Sequence, residues 1–136
     1  MFKRIWNNQS GQSAVELALT LPLLLLLICG MLEMGWVSAN KLTLQNITRE
    51  GVRAGIVATS AANNSELVTT RICEMKPAYM KNQLSVTVSY TNISDFRAGD
   101  IKVVTLYRLP AITPLAGLFT RDGAFGLRAE CTMKMS

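Results

Sequence analysis

The sequence contains no histidine, which removes the commonest general base and the commonest metal ligand. Its three cysteines, Cys29, Cys73 and Cys131, fall in no CxxC or other zinc spacing. No glycine-rich phosphate loop is present, and the carboxylates show no pairing that points to acid–base catalysis. These absences argue against an enzyme, a metal site, a cofactor or a small-molecule substrate. Charge is scarce as well, at 17% of residues, and the net +5 is spread out with no dense basic run. A nucleic-acid partner needs such a run to track a phosphate backbone, so none is expected. A chain of 136 residues is long enough for one domain.

What the chain has instead is an apolar N-terminal stretch. Residues 17–32 carry no charge, and apolar character continues past Glu33 through Met34, Trp36 and Val37. Residues 17–39 therefore suffice to cross a bilayer as a helix, which takes roughly 20 residues. Lys3 and Arg4 precede the stretch. The positive-inside rule then predicts a cytoplasmic N-terminus and an extracytoplasmic remainder. Pro22 is tolerable in such a helix, where neighbouring groups can satisfy the freed backbone. A secretory signal cut after Val37-Ser38-Ala39 fits poorly, because Glu16 and Glu33 bracket its apolar region. Acylation of Cys29 fails because Ile28 stands where a small residue is needed, and Cys29 reads as an apolar filler.

The segment GQSAVELALTLPLLLLLICGMLEMGW, residues 11–36, resembles the N-terminal region of type IV pilin-like proteins. It is most similar to the TadE-type pseudopilins of the tight-adherence (Tad/Flp) pilus system. TREGVRAGIVA, residues 48–58, resembles the segment that follows the apolar helix in that family, and the closing LRAECTMKMS resembles its final strand. The resemblance implies a basic leader over residues 1–11 and cleavage after Gly11 by a membrane-embedded prepilin peptidase. Gln12 would become the mature N-terminus and Glu16 its fifth residue. Leu17 departs from the major Flp pilins, which carry Tyr there, and the chain is far longer than a major pilin. Both differences point to a minor subunit. Pro22 also comes earlier after the cut than in the type II secretion pseudopilins.

A carboxylate in hydrocarbon costs at least ~2.5–3.5 kcal/mol on insertion scales, which makes Glu16 a functional hypothesis. The resemblance implies that it pairs with the Gln12 amine of a neighbouring subunit and so sets assembly register. The competing reading is a solvated Glu16 at headgroup depth. Glu33 lies roughly 31 Å beyond Gln12 at 1.5 Å per residue, so a solvated or interface-bound acid is favoured over a second pairing site. Trp36 beside it suits an interfacial aromatic.

Beyond the span the helix is expected to continue outward to residue 62, with Leu42, Ile47, Val52 and Ile56 as an apolar stripe. Gly51 and Gly55 form a GxxxG next to Arg53, which reads either as a close-packed interface or as a kink. Residues 61–65 read as a break, with Asn64 or Ser65 capping a short helix over 66–76. Three strands follow, over 84–90, 101–109 and 125–135, with a turn at 92–100 and a short helix or ordered loop at 113–119. The predicted fold class is α+β: a long N-terminal membrane helix leading into a small domain over 63–136, with a short helix on a three-stranded antiparallel sheet. Cys73 on that helix and Cys131 on the last strand are candidates for a disulfide, the alternative being two buried thiols.

Two functions remain open. One is a minor pseudopilin of a Tad-type pilus, acting in initiation, assembly or a tip complex for adherence. Its partners would be the prepilin peptidase, other minor pilins, the assembly platform and inner-membrane lipid. The other is an uncleaved single-pass anchor presenting a periplasmic binding domain.

Overall fold

The computed structural model describes residues 9–57, 61–80, 83–91, 99–113, 117, 120 and 123–135. The leader residues 1–8, most of the 92–100 turn and most of 113–119 lie outside the described residues.

Helix α1 runs from Gln9 to Ile56 through Pro22 without interruption. Its two parts have different surroundings. Residues 11–28 are exposed throughout, and apolar side chains such as Leu19, Leu23 and Met31 have no protein neighbour to cover them. From Glu33 onward one face is buried, at Glu33, Asn40, Leu44, Ile47, Thr48, Gly51, Val52 and Gly55. These spacings of three and four make a helical seam. The anticipated stripe is corrected at Leu42, which is 61% exposed. The true seam was hidden because Glu33, Asn40, Thr48 and two glycines occupy positions that an apolar pattern would fill.

Helix α2, Ala61–Met75, begins where a break was expected, and α1 ends at Ile56, ahead of the anticipated residue 62. Asn64 is the reason. It is fully buried, and its amide donates to the Met135 thioether at 3.9 Å. A turn-favouring residue is held in a helix by its tertiary position, which overrides weak propensity. Gly55 faces Asn64 and Val68 while Gly51 faces Val68 and Ile72, so the two helices run antiparallel. A single 3-10 turn, Ala78–Met80, follows and buries Met80.

Strands β1 (Leu84–Tyr90), β2 (Asp100–Pro110) and β3 (Ala124–Lys134) form an antiparallel sheet in the order β1-β2-β3. The register pairs Leu84 with Tyr107 and Tyr90 with Ile101, then Ile101 with Met133 and Leu109 with Phe125. Alternation places Ile101, Val103, Thr105, Tyr107 and Leu109 inside, as period-two patterning predicts. The outer half of α1 lies over β2 and β3, while α2 packs on α1 and reaches β1. One core results, joining Leu44, Ile47 and Val52 of α1 to Val68 and Ile72 of α2 and to the inner face of the sheet. A hydroxyl pair, Thr48 Oγ1 and Thr105 Oγ1 at 2.6 Å, crosses that core and ties α1 to the central strand. Gly123, at φ 61°, closes the β2–β3 connection, where Ala111 N–H donates to its carbonyl at 3.0 Å. That backbone conformation suits a residue without Cβ.

Candidate functional site: the membrane helix and its clasp to the domain

Gly11, Gln12 and Glu16 all lie on the exposed first part of α1. The Glu16 carbonyl accepts the Thr20 hydroxyl at 3.0 Å, an ordinary back-bond one turn along the helix. The Glu16 side chain projects from a surface of Val15, Leu17 and Leu19. The three proposed processing and register residues therefore share a helix segment that no other part of the described chain covers.

Glu33 stands where that bare surface ends. It is only 8% exposed, so of the expected solvated or interface-bound acid the solvated form does not apply. One carboxylate oxygen accepts the Ile112 backbone N–H at 3.2 Å. The other accepts the Thr113 N–H at 3.0 Å and the Thr113 hydroxyl at 2.8 Å. Both oxygens act as acceptors, which is the arrangement an ionised carboxylate needs when it leaves water. The end of β2 is thereby clasped to α1. One turn further, the Trp36 ring meets Tyr79 of the 3-10 turn at 5.9 Å between centroids, tilted by 38°. Trp36 packs against the core as well, so it belongs to the domain and is not a free interfacial aromatic. Sequence reading missed Ile112, Thr113 and Tyr79. The available signal was position: Glu33, Asn40, Leu44, Ile47, Gly51 and Gly55 fall on one helical face, so Glu33 had to look the same way as the core.

The GxxxG resolves as an internal contact. A Cβ on Gly51 would lie 2.6 Å from the Ile72 side chain, and one on Gly55 would lie 2.6 Å from Asn64 Oδ1 and 2.7 Å from Ile101. Both glycines are consumed by α2 and the sheet of the same chain, which removes them from any surface open to another subunit. Arg53 is exposed and pairs with Glu50 at 3.3 Å, an i,i+3 surface contact of small energetic weight.

The disulfide expectation is corrected: all three cysteines are free. Cys73 follows the buried Ile72 by one residue, about 100° around the helix, and is exposed beside Lys76. Cys131 sits half-buried on the inner face of β3. The two thiols thus occupy opposite sides of the layer that separates them. Among the described residues no cluster of His, Cys, Asp or Glu could hold a metal ion.

The outer face of the sheet is uncovered and carries Lys102, Arg108, Arg128 and Lys134. Glu130 lies between Lys102 at 3.5 Å and Arg128 at 2.9 Å. Lys102 first, and then Arg128, holds its carboxyl below the ordinary range.

Among the described residues one exposed apolar helix is long enough to span a bilayer and is continuous with a small α+β domain, which suggests a single-pass membrane anchor. Residues 11–53 match the family model described as TadE-like protein, in agreement with the resemblance of residues 11–36. The match covers the anchor, the clasp residue Glu33 and the seam through Gly51, and stops before α2 and the sheet. No curated protein and no solved structure gave a match.

Proposed function

We propose that the chain is a minor pseudopilin of a Tad-type pilus, made as a membrane precursor with a cytoplasmic N-terminus and an extracytoplasmic domain. In a bacterium this places it in the inner membrane. A prepilin peptidase cuts after Gly11, and the new Gln12 amine becomes the partner of Glu16 on a neighbouring subunit. An unpaired carboxylate and an unpaired ammonium in a low-dielectric setting are both costly, so one register is favoured over every offset. The subunit then acts in pilus initiation, assembly or a tip complex, alongside other minor pilins and the assembly platform, without catalysing a reaction itself.

The observation that carries this reading is the coincidence of the TadE-like match, beginning at Gly11, with a helix whose Gly11–Glu16 segment is bare. A secretory cut after Ala39 is disfavoured, because it would sever α1 between Trp36 and Asn40 and remove Glu33 from the domain it clasps. The test is the N-terminal sequence of protein isolated from membranes of cells carrying a Tad system. A start at Gln12 supports the pseudopilin, and a chain still beginning at Met1 supports the uncleaved anchor.

A further inference from the structure

The geometry points to a second membrane contact: the start of the β2–β3 connection, at Ile112, rests on the lipid headgroup layer beside the helix exit. The inference relies on the membrane-anchor reading of α1 and adds a lipid-facing surface on the domain itself.

Depth is set by the helix. From Gln12 to Leu32 it rises roughly 30 Å at 1.5 Å per residue, about the ~30 Å hydrocarbon thickness of a bilayer. With Gln12 at the inner boundary, as the proposed mature chain places it, Glu33 marks the outer boundary. The hydrogen bond from Ile112 N–H to Glu33, at 3.2 Å, and that from Thr113 N–H, at 3.0 Å, bring the connection to the same height. Its position does not depend on any assumed tilt of the domain, because the contact is made to the helix itself.

The chemistry at that height suits lipid. Ile112 is 58% exposed although it sits two residues beyond a strand whose inner face is apolar and buried. Tyr79, 55% exposed, is brought within one helical turn of the same level by its contact with Trp36. Tyr and Trp are enriched in this zone because one end of each ring is apolar and the other polar. The first part of the connection agrees, since residues 111 to 120 carry no charge and Arg121 and Asp122 come only at its far end. An apolar group such as the exposed Ile112 side chain leaves water for the acyl boundary when it sits at the headgroup layer. Met31, Leu32 and Met34, at the same height on the other sides of α1, are exposed and apolar as well.

The test uses the full chain, methyl-labelled at Ile, Leu and Val, in phosphatidylcholine nanodiscs. Signals are recorded with a lipid carrying a nitroxide near the headgroup end of its acyl chain, and separately with a water-soluble gadolinium chelate. Leu24, in the span, and Leu106, on the outer sheet face, are exposed references. The expected result is loss of the Ile112 methyl signal with the nitroxide lipid, as for Leu24, while Leu106 is kept and responds to the chelate. Retention of Ile112 alongside Leu106, with Leu24 lost, would overturn the surface contact and leave the anchor intact. Retention at Leu24 as well would overturn the anchor and the contact together.

Discussion

The two parts of α1 share one unbroken helix and almost nothing else. Residues 17–32 carry no charge and are apolar almost throughout, with none of the spanning window buried by protein. Residues 33–56 are buried on one face only, and that face is chemically mixed: Glu33, Asn40 and Thr48 alternate with Leu44, Ile47 and Val52, and with glycines at 51 and 55. In lipid the surrounding solvent is apolar, so a helix needs no seam and no polar specification. Against a folded domain, burial requires shape and hydrogen-bond matching, and small or polar residues become admissible wherever a partner is fixed. Continuous hydrophobicity marks the part that meets solvent-like lipid, and interrupted hydrophobicity marks the part that meets protein.

The contrast is broken most directly by equal truncations in the two parts. Leu44→Ala should cost the domain about 2–5 kcal/mol by opening a cavity, because Leu44 is fully buried. Leu24→Ala, at an exposed position in the span, should leave the domain's unfolding free energy unchanged. Denaturation of the full chain in nanodiscs, followed by near-ultraviolet circular dichroism, reads both. Equal losses would mean that the two parts are not distinct.

Glu33→Ala tests the boundary itself. It strands two backbone donors and one hydroxyl that now meet a carboxylate, and hydrogen bonds to charged groups are worth roughly 1.5–3 kcal/mol each. Water can reach part of the vacated site, so a loss of about 2–4 kcal/mol is expected for the whole cluster. Glu33→Gln should lose less, keeping one acceptor oxygen. Hydrogen exchange at the Ile112 and Thr113 amides should rise in both variants, and unchanged exchange would remove the clasp.

Glycine substitutions sharpen the comparison further. Gly55→Ala forces a Cβ against Asn64, Val68 and Ile101. Overpacking of about 1–3 kcal/mol should outweigh the ~1 kcal/mol gain in helix propensity. Gly51→Ala should cost less, since two close atoms of one side chain, Ile72, stand in its way where Gly55 meets three residues. Gly30→Ala meets nothing within 4 Å and should be neutral or slightly stabilising, as thermal unfolding of the three variants would reveal. The smallest effect is chemical. Without prior reduction, maleimide should modify exposed Cys73 faster than half-buried Cys131, and resistance of Cys73 until reductant is added would restore the disulfide.

Legibility followed the range of the interactions. The strands were readable because alternation is local: β1 spans Leu84–Tyr90 as its Leu/Val/Val/Tyr repeat predicts. The apolar stretch and its Gly11–Glu16 opening were readable for the same reason, and the family match begins at that glycine. Asn64 was misread as a cap because its reason for being helical lies at Gly55 and Met135, far away in sequence. The cysteine pair was misread because facing elements do not imply facing side chains, and Cys73 is turned outward by its single-residue offset from Ile72.

By itself the sequence determined an apolar helix of spanning length, a sheet of three strands and a TadE-like N-terminal segment, all of which follow from period, length and local pattern. Tertiary structure alone decided where the membrane helix becomes a domain helix. That boundary is Glu33, whose amide partners come from the connection just after β2, some eighty residues along the chain. A buried carboxylate is stable only where donors converge on it, and convergence of distant backbone groups is a property of the folded chain that no local pattern encodes.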